Sequence, residues 1–274
     1  MNESMPIRLI ATDIDGTLLN SDHIIPEENI QAIRDAQKKG IIVAIASGRY
    51  VENVYLLLQQ YGLSCHIIGV NGAKITDPDR NALISHFIDP AAVQAVYQKL
   101  IELQMDYFIF GIDSVCTARQ TVKHHSELSY GKDIEKLGFH FYHGPEEAEK
   151  CCQNPVHKFF VCSNDRSDEV RAALQDIPGI ELTRSSPRNV EINPAGVNKA
   201  RGIEELAACF DIPLSQVMAL GDEENDLPML KAAGWGVAMG NGCESVKEAA
   251  RFITDTNNQG GWAKAVRKYA LGEE

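Results

Sequence analysis

The chain has 274 residues, which favours two domains, and its 44% hydrophobic and 23% charged content is typical of globular proteins. A formal net charge of −12 opposes nonspecific binding to nucleic acids and to anionic membranes. The sequence has no apolar run of the ~20 residues that span a bilayer. We therefore expect neither a nucleic-acid nor a membrane partner.

The N-terminus and the cysteines both favour a cytoplasmic location. The first residues lack the basic stretch, apolar stretch and small-residue cleavage site that are typical of a secretory signal peptide. Seven cysteines form an odd set without a CxxC pair, which indicates neither a disulfide framework nor a zinc site. We expect mostly buried thiols in a reducing compartment.

The segment before residue 84 alternates between strand-like and helix-like patterns. Apolar runs over 7–12, 41–46 and 66–70 predict three buried strands. Apolar residues spaced three and four apart predict helices over 27–39 and around 54–61, each followed by a glycine. This alternation predicts right-handed crossovers and a parallel sheet of the α/β class.

The middle of the chain has an α+β pattern. Helices are predicted over 90–103 and near 168–175. The predicted strands are shorter and more polar, and cover 107–110, 115–118, 139–142, 156–162 and 180–183. We predict a separate inserted domain over residues 84–188.

The buried pattern of the opening segment returns at Asn189. A run over 190–192 is followed by a predicted helix over 199–210 and by apolar runs over 217–220 and 236–239. We therefore predict a doubly wound, Rossmann-like parallel sheet formed by residues 1–83 and 189–274. The α+β domain interrupts it.

Asp13 and Asp15 lie one residue apart where the first predicted strand ends. Two carboxylates this close repel unless a cation, a shared proton or hydrogen bonds compensate them, and Mg²⁺ is the simplest compensation. The alternative is an acidic turn in which Gly16 supplies a positive φ. In doubly wound sheets, ligands bind where the strands end.

Three further loops carry matching chemistry. Ser47 and Gly48 follow the second strand-like run, Lys199 begins a predicted helix, and an acidic loop over 221–226 follows another run. With Asp13, they provide a nucleophile, hydroxyl and amide donors, a cation and a second acidic cluster, which is the set that phosphoryl transfer needs. Alone, Ser47 or Asn225 would be a helix cap and Lys199 a solvated helix residue whose loss costs little stability.

These motifs resemble those of the haloacid dehalogenase superfamily of phosphohydrolases. DxDGT at 13–17 is followed in order by a Ser, a Lys and a GDxxND-like loop. The insertion is similar to the large α+β cap, type IIB, of the Cof-like subgroup, and 254–261 is similar to that subgroup's closing segment. The resemblance covers essentially the whole chain.

The resemblance and the residue chemistry together assign roles. Asp13 is the expected nucleophile, which forms an aspartyl-phosphate, and Asp15 the acid that protonates the leaving oxygen and then deprotonates water. The expected phosphate-binding residues are Ser47, Gly48, Lys199 and Asn225. The expected Mg²⁺ ligands are Asp13, Asp15 through its backbone carbonyl, Asp222 and Asp226. Asp226 either binds the ion directly or supports the residues that bind it.

Several nearby residues have two interpretations each. Arg49 either pairs with a carboxylate near the site or contacts phosphate, and Asn71 with Gly72 forms either a plain turn or part of the site. Thr17 either hydrogen-bonds the loop or orients Asp15. Glu223 and Glu224 have no assigned part in metal binding.

The resemblance implies an Mg²⁺-dependent phosphatase that acts on a small phosphorylated metabolite. Sugar phosphates are favoured, with pyridoxal phosphate or FMN as alternatives. The cap would select the substrate, and its candidate contacts are His124, His125, Tyr130, Lys132, Arg184 and Arg188. A phosphotransferase or phosphomutase using the same intermediate, and a noncatalytic phospho-ligand sensor, are the alternative functions. We expect a monomer or a weak homodimer.

Overall fold

The structure is a computed structural model that describes residues 6–124, 138–184 and 186–273. The chain divides into two compact units, Met1–Ile84 with Asn198–Glu274, and Ser85–Val197. Within the described ranges, no helix combines the length and the apolar character needed to cross a membrane.

The described residues form fourteen strands and ten α-helices, besides short 3₁₀ and π segments. The strands are β1 (Leu9–Thr12), β2 (Ile42–Ala46), β3 (His66–Gly69), β4 (Lys74–Thr76), β5 (Ala82–Ser85), β6 (Asp106–Gly111), β7 (Val115–Ala118), β8 (Phe139–Tyr142), β9 (Val156–Cys162), β10 (Ile180–Thr183), β11 (Asn189–Pro194), β12 (Val217–Gly221), β13 (Trp235–Ala238) and β14 (Phe252–Ile253). The helices are α1 (Glu27–Lys38), α2 (Val51–Gln60), α3 (Pro90–Glu102), α4 (Arg119–His124), α5 (Pro145–Cys152), α6 (Ser167–Leu174), α7 (Lys199–Cys209), α8 (Leu227–Ala232), α9 (Glu244–Ala249) and α10 (Gly261–Ala265).

The first unit is built on an eight-stranded sheet in the order β14-β13-β12-β1-β2-β3-β4-β5. The six strands from β14 to β3 run parallel, and β4 is antiparallel to β3. The predicted α/β class and parallel sheet are confirmed. Because β1 lies between β12 and β2, the loops that follow these three strands lie at one edge of the sheet.

Helices cover both faces of this sheet because strand side chains alternate between the faces. Ile10 of β1 packs in a core with Ile33 of α1 and Val54 of α2. Leu9, its neighbour in β1, packs in a second core with Ile203 of α7. This is the doubly wound arrangement that the sequence predicted.

The second unit contains a six-stranded sheet in the order β10-β11-β9-β6-β7-β8, antiparallel except for β7 with β8. Side chains of α3, α5 and α6 share one core with alternate residues of these strands. The α+β character agrees with the prediction. The helices α4 and α5 were not predicted.

The end of the second unit differs from the sequence prediction. Residues from Asn189 onward were predicted to rejoin the first sheet, but β11 pairs with β9 and β10, with Val190 opposite Val161. The unit therefore extends to Val197 and not to Arg188. The prediction failed because β11 is buried throughout, and a buried strand has the same sequence pattern in either sheet.

Candidate active site

The loop after β1 places the two aspartates. The chain turns through Ile14–Leu18, and the backbone N–H of Leu19 closes the turn on the carbonyl of Ile14 at 2.9 Å. Gly16 has a φ of +79°, as predicted, and a Cβ there would lie 2.1 Å from Oδ2 of Asp222. Only glycine satisfies both the backbone conformation and this close approach.

Three polar side chains fix this loop, two of them from distant parts of the chain. Nε1 of Trp262 donates to Oγ1 of Thr12 at 2.8 Å, and that hydroxyl donates to the carbonyl of Asp13 at 2.8 Å. Nδ2 of Asn241 donates to the carbonyl of Gly16 at 2.8 Å. Sequence reasoning missed all three. The only signal was for Asn241, which lies in a Gly-Asn-Gly loop at a predicted strand end.

Lys199 lies at the centre of the carboxylate cluster. It is the first residue of α7, after the cap residue Asn198, and only 1% of its side chain is exposed. Its Nζ lies 2.5 Å from Oδ1 of Asp13 and 2.6 Å from Oδ1 of Asp226. The interpretation of Lys199 alone as a solvated helix residue is therefore wrong, because the start of α7 points it at two buried carboxylates.

Asp226 is fully buried, and both of its oxygens have partners. Oδ1 accepts from Lys199, while Oδ2 accepts from the backbone N–H groups of Asp222 at 3.0 Å and Glu223 at 3.1 Å. The side chain thus ties the acidic loop to Lys199. Glu223 and Glu224 are exposed, and Glu223 caps the short turn that contains Asn225.

Three carboxylates form a group suited to a metal ion. One oxygen from each of Asp13, Asp222 and Asp226 lies within 4.8 Å of the others. Thr17 donates to Oδ1 of Asp222 at 2.6 Å, so it orients this carboxylate and not that of Asp15.

The electrostatics of the cluster favour a cation. Burial raises the pKa of Asp222 to about 7, with Asp226 adding to the effect. Burial also raises the pKa of Asp13, reinforced by Asp226 and Asp222 and opposed by Lys199. Burial alone would lower the pKa of Lys199, but Asp13 and Asp226 raise it. Three carboxylates face one ammonium, and hard oxygen donors with excess negative charge suit Mg²⁺.

The loop after β2 brings backbone and hydroxyl donors to the same edge of the sheet. The N–H of Ser47 donates to Ile68 at 2.9 Å, and its carbonyl accepts from the N–H of Asn71 at 3.0 Å. A Cβ on Gly48 would lie 2.9 Å from Oδ1 of Asn71. Asn71 therefore packs against the predicted phosphate-binding loop.

Arg49 forms a two-point ion pair with Asp15. Its Nε lies 2.9 Å from Oδ2 and its Nη2 lies 2.5 Å from Oδ1. Half of the Asp15 side chain is exposed, against 23% of Arg49. Of the two interpretations of Arg49, pairing with a nearby carboxylate is confirmed.

Two of the candidate residues of the second unit that the structure describes have separate hydrogen-bond partners. Nδ1 of His124 lies 2.9 Å from Oδ2 of Asp106, and Nη2 of Arg188 donates to Asn164 at 3.3 Å. Arg184 is exposed. His125, Tyr130 and Lys132 lie outside the described residues.

Comparison with known proteins agrees with this geometry. The family model of haloacid dehalogenase-like hydrolases matches residues 10–266. The chain is 33% identical over 271 residues to the 5-amino-6-(5-phospho-D-ribitylamino)uracil phosphatase YcsE of Bacillus subtilis, covering 98% of each protein. A haloacid dehalogenase-like hydrolase from B. subtilis superposes with a TM-score of 0.84 at 28% identity, covering 95% of this chain and 99% of that one.

A further solved structure has the same architecture. The subclass IIB sugar phosphatase BT4131 superposes with a TM-score of 0.79 at 28% identity, covering 96% of this chain and 99% of that one. The match spans both units, so the whole chain shares this fold. The chain belongs to the haloacid dehalogenase-like hydrolases, in their Cof-like subgroup, and is a phosphoric monoester hydrolase.

Proposed function

We propose that this protein is an Mg²⁺-dependent phosphatase that hydrolyses small phosphate monoesters through an aspartyl-phosphate on Asp13. The supporting observation is the position of Asp13, buried at the end of β1, with Lys199 at 2.5 Å and two more carboxylates within reach of one ion. Such a site holds a carboxylate nucleophile beside positive charge.

The metal would be held by Asp13, Asp222 and the backbone carbonyl of Asp15. Asp226 would position these ligands without binding the metal itself, because its oxygens already accept hydrogen bonds from Lys199 and two backbone N–H groups. When bound, Mg²⁺ neutralises charge on the transferred phosphoryl group and reduces its repulsion by Asp13.

The residues divide the reaction into two steps. A carboxylate oxygen of Asp13 attacks phosphorus, the bond from phosphorus to the leaving oxygen breaks, and Asp15 gives that oxygen a proton. Water then attacks phosphorus while Asp15 takes a proton from it, the bond from phosphorus to the Asp13 oxygen breaks, and inorganic phosphate leaves the regenerated carboxylate. General acid–base catalysis of this kind contributes typically 10²- to 10⁴-fold.

The phosphate oxygens would be bound by the hydroxyl of Ser47, the backbone N–H of Gly48, and the side chains of Lys199 and Asn225. Ser47 is 2% exposed and its loop is tied to Asn71, so its donors are fixed before substrate arrives. Fixed donors cost no reorganisation in the transition state.

For the substrate we propose a phosphate ester of a sugar or a sugar alcohol. YcsE is named for a substrate that carries a 5-phospho-D-ribityl chain, and BT4131 is named a sugar phosphatase. Both substrates present a phosphate on a polyhydroxylated carbon chain. We propose that the substrate of this protein likewise carries its phosphate on a polyhydroxylated carbon chain.

We also propose that the second unit selects the substrate. Its sheet carries a buried ion pair, Lys158 Nζ to Glu191 Oε2 at 3.3 Å, with Nζ 4.7 Å from the centre of the Phe110 ring. Glu191 lies between two residues of the helix-side core, so its side chain is on the opposite sheet face. Removing Lys158 would leave Glu191 buried without its cation, so this pair is where we test the contribution of the second unit.

A phosphate-release screen tests the function. The panel would contain 5-amino-6-(5-phospho-D-ribitylamino)uracil, hexose and pentose phosphates, pyridoxal phosphate, FMN and nucleotides, each with Mg²⁺ and with EDTA. We expect Mg²⁺-dependent release that Asp13→Asn abolishes, because an amide is no nucleophile, while the circular dichroism spectrum is unchanged.

The other outcomes separate the alternatives. Transfer of phosphate to an added alcohol or sugar without net release would identify a phosphotransferase, and binding without turnover a sensor. Wild-type turnover in Asp13→Asn would contradict the nucleophile assignment. For the second unit, Lys158→Met should change the ratio of kcat/KM between substrates; an unchanged ratio would exclude it from selection.

A further inference from the structure

We propose that Arg49 is a positioning residue that orients Asp15 for proton transfer, acting through that carboxylate and not on the substrate. The inference rests on the proposed function, in which Asp15 is the acid and base. It goes beyond that function because it assigns the two-point ion pair a task in the reaction.

The ion pair fixes the carboxylate in two dimensions. Nε and Nη2 of one planar guanidinium hold Oδ2 at 2.9 Å and Oδ1 at 2.5 Å, which sets both the direction and the plane of the carboxyl group. Within the described part of the chain, Arg49 is the one side chain that hydrogen-bonds Asp15. An aspartate whose side chain is 51% exposed would otherwise sample several rotamers.

The backbone of Arg49 is itself held on both sides. Its N–H donates to Oγ of Ser47 at 3.2 Å, and its carbonyl accepts from the N–H of Val70 at 2.9 Å. Helix α2 begins two residues later, at Val51. The guanidinium therefore extends from a fixed point of the first unit.

Val70, which holds the carbonyl of Arg49, has a strained backbone conformation. It is a fully buried β-branched residue with a φ of +54°, a backbone conformation that such residues rarely adopt. Asn71 and Gly72 also have positive φ, at +57° and +99°. Strained turns of this kind persist where the surrounding structure over-determines them, and they cluster at functional sites. Here the strained residue donates the hydrogen bond that holds the carbonyl of Arg49.

The expected consequence depends on the leaving group. A small displacement of a catalytic group costs roughly 10²-fold in rate. We expect Arg49→Gln to lower kcat/KM for benzyl phosphate by about that factor, because the departing alkoxide needs a proton. The loss should be smaller for phenyl phosphate and smallest for 4-nitrophenyl phosphate, whose leaving group departs without one.

The test is a double-mutant cycle on these three substrates with the full-length protein and saturating Mg²⁺. The variants are Asp15→Asn, Arg49→Gln, their combination and Arg49→Lys. The matched control is Arg201→Gln, which removes an arginine that is 52% exposed and pairs with Glu205 at 2.7 Å. The readout kcat/KM reports the steps up to departure of the leaving group, and thermal unfolding checks that each variant folds.

The expected results are specific to positioning. Arg49→Gln should reproduce the leaving-group dependence of Asp15→Asn, should cause no further loss in the Asp15→Asn background, and should not be rescued by Arg49→Lys, which lacks the planar fork. A uniform loss on all three substrates that persists in the Asp15→Asn background would overturn the inference and assign Arg49 to phosphate. Full activity of Arg49→Lys would also overturn it.

Failure of the proposed function would look different. If Asp15→Asn itself lost activity equally on all three substrates, Asp15 would not be the acid and the proposed mechanism would fail. If Asp15→Asn showed the dependence and Arg49→Gln did not, the mechanism would stand and the positioning role would be wrong.

Discussion

Replacing Lys199 with methionine should destabilise the protein strongly, in contrast to the small effect expected from its sequence alone. The side chain is 1% exposed and makes two ion pairs, at 2.5 Å with Asp13 and 2.6 Å with Asp226, of which Asp226 is fully buried. Methionine preserves the length and flexibility of the side chain but leaves these carboxylates without their cation.

The magnitude follows from the burial. Removing one partner of a buried ion pair costs about 3–5 kcal/mol, because a buried charge is left uncompensated. For a domain of the size of the first unit, each kcal/mol lowers Tm by roughly 2–4 °C, so the total is about 6–20 °C. The loss of stability should be larger at pH 8 than at pH 5. Burial raises the pKa of Asp13, so at the lower pH this carboxyl is protonated more readily, and protonation relieves its repulsion by Asp226.

The assay is thermal unfolding followed by circular dichroism in EDTA at both pH values. The control is Lys38→Met, which removes a 70% exposed lysine paired with Asp35 at 2.9 Å and should change stability by less than about 0.5 kcal/mol. Adding Asp226→Asn to Lys199→Met should recover part of the loss. A fall in Tm of under ~2 °C, or an equal fall at both pH values, would refute the reasoning.

Three further predictions follow from the same loops. Burial raises the pKa of Asp222 from 3.8 to about 7, so between these pH values the metal-free folded protein binds more protons than the unfolded chain, and its stability falls as pH rises. Over this range, Tm in EDTA should fall and the increase in Tm that Mg²⁺ causes should grow. An increase that does not depend on pH would contradict this prediction. Gly16→Ala should lower both Tm and kcat/KM, since its Cβ would lie 2.1 Å from the Asp222 carboxylate; normal kinetics would show that the loop adjusts freely. Trp262→Phe removes the donor to Thr12 and should lower the free energy of unfolding, measured with denaturant, by about 1–3 kcal/mol. The control Trp235→Phe replaces a half-buried ring and should lower it by less. Equal losses would exclude a special role for the hydrogen bond of Trp262.

Most of the first unit could be predicted from sequence because its strands are short apolar runs that end in polar or glycine-rich loops. The structure gives β2 as Ile42–Ala46 where the sequence predicted 41–46, and α7 begins at Lys199 as predicted. The strand β4 was missed because it has three residues, too few for a periodic pattern. The short strand β14 was missed for the same reason.

The sequence by itself determined the chemistry of this protein. The motif residues Asp13, Ser47, Lys199 and Asp222 follow or flank locally recognisable elements, and their residue types indicated phosphoryl transfer before any contact was known. Local periodicity was sufficient because it shows where each buried strand ends, and ligands bind at those ends.

Only the tertiary structure decided which groups meet. It assigned Thr17 to Asp222, 205 residues away, joined Arg49 to Asp15, buried Lys199 between two carboxylates, and gave β11 to the second sheet. Local sequence patterns specify which face of an element is apolar, but they do not specify its partner. The assembly of the strands decides which residues pair across such separations. This pairing in turn sets the charge balance of the site.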